Sequence, residues 1–173
     1  MRETIRYGFI LGLICLVAAG LLARVNSLTE SRIISQAQAE ENSSLNEVMP
    51  EAAGFEEVKS GEEIIYYKAL NKDGRLIGAV FKTQGKGYSG MIETMSGMLL
   101  NGSITAIKIL SQNETPGLGT RVAEQEFTVK FKGKKLQDLK DIQAITGATV
   151  SSRAVIDSVN KKAGQIKELL ERE

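Results

Sequence analysis

The sequence predicts an α+β protein: a single N-terminal transmembrane helix and helical stalk, then a mainly antiparallel sheet with flanking helices. Three observations predict it. An uncharged run of 17 residues, Tyr7–Ala23, lies near the start. Two pairs of apolar, strand-like runs follow, each pair joined by a short polar turn. The chain then closes on one long apolar stripe at helical spacing. The boundaries read as 1–24 for the anchor, 25–50 for the stalk and 51–173 for the domain.

Arg6 and Arg24 bracket the apolar run. As a helix it spans roughly 26 Å, slightly short of the ~30 Å hydrocarbon core, and the two arginines snorkel to cover the difference. A cleaved signal peptide would have a shorter apolar region and small residues at its cleavage site, and Leu22-Ala23-Arg24 is a poor one. Ile14 before Cys15 does not suit a lipoprotein site. Arg2 and Arg6 bias the N-terminus to the cytoplasm and the domain to the outside. The expected location is therefore the cytoplasmic (inner) membrane, crossed once. Cys15 is the one thiol, so the domain itself is Cys-free, which suits an oxidising compartment.

Val25 to Met49 is Ala/Glu/Gln/Ser-rich, with apolar Leu28, Ile33, Ile34 and Ala37. This reads as a helical stalk that ends before Pro50 and also packs on the domain. Glu63–Leu70 and Arg75–Thr83 flank Asn71-Lys72-Asp73-Gly74, a hairpin with a polar turn. Met91–Leu100 and Ser103–Leu110 flank Asn101-Gly102, a pair whose usual turn needs positive φ at both residues. A short helix is expected over Arg121–Val129 and a turn at Gly133-Lys134. Ser152 to about Arg172 reads as the closing helix, with Val155, Val159, Ala163, Ile166 and Leu170 on one face. Gly164 costs about 1 kcal/mol there and marks close packing or a bend.

Composition excludes several functions. The 173 residues carry 22 Lys+Arg against 21 Asp+Glu, a net charge of +1, which gives a nucleic-acid partner no electrostatic footprint. There is no His, which removes His-based nucleophile systems and His-ligated metals. A single Cys allows no internal disulfide and no cluster ligated by this chain alone. No catalytic residue and no metal ligand set is expected. Any redox chemistry must come from an organic cofactor.

Three glycine-containing loops remain. Gly85-Lys86-Gly87-Tyr88-Ser89-Gly90 lies between strands; glycines permit close backbone approach and Tyr88 offers a flat face, although on these residues alone a bulged strand connection is the better explanation. Glu114-Thr115-Pro116-Gly117-Leu118-Gly119-Thr120 fits a type II turn around Pro116-Gly117. Thr146-Gly147-Ala148-Thr149-Val150-Ser151-Ser152 precedes the closing helix, where Ser151 or Ser152 is the natural N-cap. A hydroxyl at a helix start is also well placed to carry a phosphate, since the dipole and free amides favour an anion there.

These three segments, in this order behind an anchor and stalk, resemble the FMN-binding domain family, in its branch from Rnf-type ion-translocating electron transport complexes; the corresponding subunit of the sodium-translocating NADH:quinone reductase is similar. The resemblance implies FMN joined through its phosphate to Thr149, in a phosphoester made by a separate flavin transferase from FAD with a divalent metal. It implies that Thr146, Gly147, Ala148 and Ser151, with Gly85, Lys86, Gly87 and Tyr88 and with Glu114, Thr115, Gly117, Leu118 and Gly119, lie around the flavin. Backbone groups of the two glycine loops, Lys86 and Glu114 would set its potential. The family often has an acidic residue three positions before the motif; here Gln143 stands there, with Asp141 two residues earlier, which bears on recognition by the transferase. The implied function is an electron-transfer subunit, partnered by other subunits of a membrane complex and by lipid, coupling ferredoxin and NAD to ion movement. The alternative is a non-redox extracytoplasmic module that binds a phosphorylated ligand reversibly. A Ser/Thr hydrolase with a Lys base is disfavoured, because Ser151-Ser152-Arg153 lacks Ser-x-x-Lys spacing.

Overall fold

A computed structural model describes residues 2–61 and 63–171, without the side chains of Glu3, Ser31, Ile33 and Ile34. The side chains of Ile33 and Ile34 in the expected stalk, and Arg172 at the expected end of the last helix, thus lie outside what is described. The chain divides into two compact units between Asn42 and Ser43.

The first unit is helical throughout. It forms most of α1, Arg2–Val48, and its described side chains are nearly all exposed. Among the described residues α1 is the one helix long and apolar enough to cross a bilayer.

The second unit opens with the last turn of α1, which ends two residues before Pro50 because a residue preceding proline avoids helical backbone. Five strands follow: β1 Gly54–Ser60, β2 Glu63–Leu70, β3 Leu76–Lys86, β4 Met91–Leu99 and β5 Ile104–Ser111. They form one antiparallel sheet in the order β1-β2-β3-β4-β5. Adjacent strands are adjacent in sequence, so short turns suffice. At the β2–β3 turn Asn71 Oδ1 accepts from the amides of Asp73 and Arg75, both at 2.9 Å. A 3-10 turn at Gly119–Ala123, the short α2 at Gln125–Thr128 and two further 3-10 turns lead to α3, Thr149–Leu170.

Both faces of the sheet are covered. On one, Val155, Ile156, Val159, Ala163 and Ile166 of α3 pack with Phe81, Ile92, Met98 and Ile107, joined by Phe127, Phe131 and Leu139. Each such large side chain contributes about 1.5–3 kcal/mol by leaving water. On the other face Leu45, Val48 and Met49 pack with Tyr67, Ala69, Val80 and Met95. The Lys108 ammonium meets Glu47 and the Thr105 hydroxyl donates to the Val48 carbonyl, tying the end of α1 to β5. The end of the expected stalk, from Leu45 to Met49, packs on the sheet as expected.

Several local expectations are corrected. The sheet has a first strand, β1, that the two predicted hairpins did not include; its Glu56-Glu57 hides it, and those charges are tolerated on an exposed edge. β3 continues past Thr83 to Lys86 because Gly85 and Lys86 pair with Ile92 and Met91. The Asn101-Gly102 turn has positive φ only at Gly102; Asn101 instead accepts the Ser103 amide on its side-chain oxygen at 2.9 Å. The helix expected over Arg121–Val129 is split into a 3-10 turn and the four-residue α2. Gly164 is no packing glycine, since a Cβ there would meet nothing within 4 Å. Finally, α3 begins at Thr149, with Ala148 as N-cap and no side-chain cap. Ser151 and Ser152 sit inside its first turn, where other partners take their hydroxyls.

Candidate cofactor site

The second and third loops and Tyr88 converge on one cleft of ≈ 540 Å³, lined by Tyr88, Glu114, Thr115, Leu118, Gly119 and residues 147–151. Thr149 is exposed there as the first residue of α3. The preceding Gly147 has φ +84°, a conformation strained for any residue with a Cβ, and it turns the chain into the helix. The amides of Thr149, Val150 and Ser151 have no acceptor among the described residues; the first bond of α3 runs from the Ser152 amide to the Ala148 carbonyl at 2.9 Å. The helix therefore starts beside the cleft with three donors unpaired, at the positive end of a 22-residue helix.

The serines hold this start in place. Ser152 Oγ accepts from the buried Ile145 amide at 3.0 Å and donates to the Ala148 carbonyl at 2.9 Å, bracing the loop before the helix. Ser151 Oγ donates to Glu114 Oε2 at 2.5 Å. Glu114 is only 5% exposed. Its carboxylate also accepts from the Tyr88, Ser89 and Gly90 amides at 3.2, 3.0 and 3.3 Å. Burial raises its pKa, but the bonds from Ser151, Ser89, Tyr88 and Gly90 outweigh that and hold it below the ordinary carboxylate value.

The rim is apolar and exposed: Tyr88 is 78%, Val150 53% and Leu118 49% accessible. A flat aromatic face beside free helix amides is chemistry suited to a ring system carrying a phosphate. Two other clefts do not match this. The larger, ≈ 680 Å³, lies between β2, β3 and α3 and contains none of the residues singled out in the sequence. Thr146 lines a separate cleft of ≈ 210 Å³ with Gln143, Arg121 and Lys130.

The remaining expected residues are placed differently. Gly85 and Lys86 belong to β3, and neither they nor Gly87 line the cleft. Gly117, at φ +75°, shapes the turn without lining the cleft. Ala148 lines it as the N-cap. Sequence reasoning missed Val150 and the amides of Ser89 and Gly90. An exposed apolar residue at a helix start was the available signal for Val150.

Comparison with known proteins bears directly on this site. Residues 87–163 match the FMN-binding domain family, and residues 1–48 match the RnfG N-terminal region. The G subunit of the ion-translocating oxidoreductase complex of Methanosarcina acetivorans is 31% identical over 158 residues, covering 83% of this chain and 84% of its own. The G subunit of the Na(+)-translocating ferredoxin:NAD(+) oxidoreductase complex of Acetobacterium woodii is 33% identical over 185 residues, covering 92% and 89%. Among solved structures, Shewanella oneidensis NqrC shares the fold, with a TM-score of 0.55 and 20% identity over 73% of this chain and 74% of that one. With both matches in chain order, and relatives of this identity aligned along most of their own length, the cleft around Thr149 lies within an FMN-binding domain, and the chain belongs to the RnfG family of ion-translocating oxidoreductase complex subunits.

Proposed function

We propose that this chain carries FMN as a phosphoester on Thr149 and serves as an electron carrier in a membrane-bound, Rnf-type complex that couples ferredoxin and NAD to ion movement. The observation that carries the reading is the start of α3: an exposed Thr149 hydroxyl, no side-chain cap, and three free amides around it. The amides of Thr149, Val150 and Ser151 would receive the phosphate oxygens. Tyr88, Leu118 and Val150 would shield the ring, and Thr115 and Gly119 would close the cleft's other wall. When bound, FMN supplies reversible electron transfer that no side chain of this composition provides.

Attachment is a phosphoryl transfer. The Thr149 oxygen takes the FMN phosphoryl group from FAD, AMP leaves, and the hydroxyl proton passes to the flavin transferase. A tether through the phosphate keeps the cofactor at high local concentration outside the cytoplasm, where no pool replenishes it. In this reading α1 crosses the inner membrane once with its N-terminus in the cytoplasm, and the domain stands on the far side among the other subunits of the complex.

The test is a denaturing gel of protein co-expressed with a flavin transferase, viewed under ultraviolet light. The account expects a fluorescent band that survives denaturation and dialysis and disappears in Thr149→Ala. A flavin lost on denaturation would favour the reversible-ligand reading, and a dark band would remove the phosphoester.

A further inference from the structure

The glycine loop before Tyr88 has a different task from the one its composition suggests. Three successive amides, Tyr88 to Gly90, point at one spot, the arrangement that commonly cradles a phosphate. Here the spot is filled by the chain's own Glu114 carboxylate at 3.0–3.3 Å. The Gly87 amide donates to the Gly90 carbonyl at 2.8 Å. The amides of residues 87–90 thus all have acceptors within the chain. One glycine of this loop, Gly87, and one of the next, Gly119, are explained by the same carboxylate. A Cβ on Gly87 would lie 2.9 Å from Glu114 Cδ, and one on Gly119 would lie 2.6 Å from Oε2 and 2.8 Å from Ser151 Oγ. The same carboxylate also reaches Ser151, two residues after Thr149.

We infer that Glu114 is a positioning residue: its carboxylate clamps the Tyr88–Gly90 turn to the first turn of α3, so that the Tyr88 wall and the Thr149 hydroxyl are set in place before any flavin is attached. This rests on Thr149 being the attachment point, yet the clamp itself belongs to the unloaded chain. It also divides the labour of the site. The phosphate is left to the amides of α3, while the glycine loop contributes the Tyr88 ring.

The test uses full-length protein in detergent with Thr149→Ala, so that no flavin is present in any sample. Amide exchange at Tyr88, Ser89 and Gly90 should be slow, and Glu114→Ala should accelerate it about tenfold or more, since each amide loses a charge-assisted acceptor. Because the truncation leaves a hole lined by three amides and a hydroxyl, acetate should restore slow exchange where chloride at equal ionic strength does not. With Thr149 intact, Glu114→Ala should load less flavin in a purified transferase reaction, and acetate should recover it. If Glu114→Ala does not fold, Ser151→Ala removes one bond of the four and should speed exchange of the Ser152 amide, the first bonded amide of α3. Exchange independent of Glu114, or equal in acetate and chloride, would overturn the clamp. A failure of flavin loading in the unmutated chain would instead overturn the phosphoester and leave the exchange result standing.

Discussion

Replacing Gly85 by alanine separates two uses of a glycine, room for a ligand and room for a helix. Gly85 lies in β3 opposite Ile92 and beneath α3. A Cβ there would overlap the Ala154 carbonyl, with the carbonyl carbon at 2.8 Å and Ser158 Oγ at 3.2 Å. Both obstacles near Ala154 are backbone, so no rotamer change relieves them. Relief requires α3 and β3 to part by about 1 Å, which forfeits roughly a quarter to a half of the dispersion energy along the seam. Overpacking of this kind costs about 1–3 kcal/mol, and the upper half of that range applies where backbone meets backbone. For a domain of this size that lowers the melting temperature by about 5–15 °C. The assay is thermal unfolding of the full chain in detergent, in the flavin-free Thr149→Ala background, with exposed Lys86→Ala as the neighbouring control. If Gly85→Ala melts with its parent, while the same change made with Thr149 intact lowers flavin loading, the glycine serves the ligand and the packing argument is refuted.

Other perturbations read other parts of the site. Ser152→Ala leaves the buried Ile145 amide without its 3.0 Å acceptor and should destabilise the domain by about 1–3 kcal/mol in urea unfolding; a change below about 0.5 kcal/mol would show that the amide finds another partner. The Glu114 carboxyl has its pKa lowered on folding, so its contribution is fully present above the ordinary value of 4.5 and is lost as pH falls through the folded value. The stability gap between the unmutated chain and Glu114→Gln should be flat above pH 4.5 and close below it; a gap that widens in acid would reverse the sign. Thr94 Oγ1 is buried with no hydrogen-bond partner among the described residues. Thr94→Val should therefore be neutral or stabilising by about 1 kcal/mol, and a fall in melting temperature would reveal a partner for that hydroxyl.

Much of the fold was legible because its signals are local. The charge-free run, the two hairpins and the α3 stripe each announce themselves within one element, by length, turn residues or period. The departures come from contacts that no single element's pattern displays. Ser151 and Ser152 read as helix caps, a local role. Glu114, 37 residues away, takes the first, and Ile145 and Ala148 take the second, so the helix starts earlier with its amides open. Gly85 reads as the start of a loop, whereas pairing with Ile92 makes it a strand residue and α3 lying across it requires the glycine. β1 has a weak pattern because one edge of the sheet needs little burial. At the site, the three motifs identified the right neighbourhood. Their division of labour could not be read, because the bonds from residues 88–90 to Glu114 span 24–26 positions.

The central claim is the covalent bond at the start of α3. Peptide mapping by mass spectrometry of chain taken from its native membranes tests it directly. The account predicts that the peptide containing Thr149 carries one FMN less one water, with fragment ions placing the addition on that threonine. An unmodified Thr149 in material whose complex is active would contradict it.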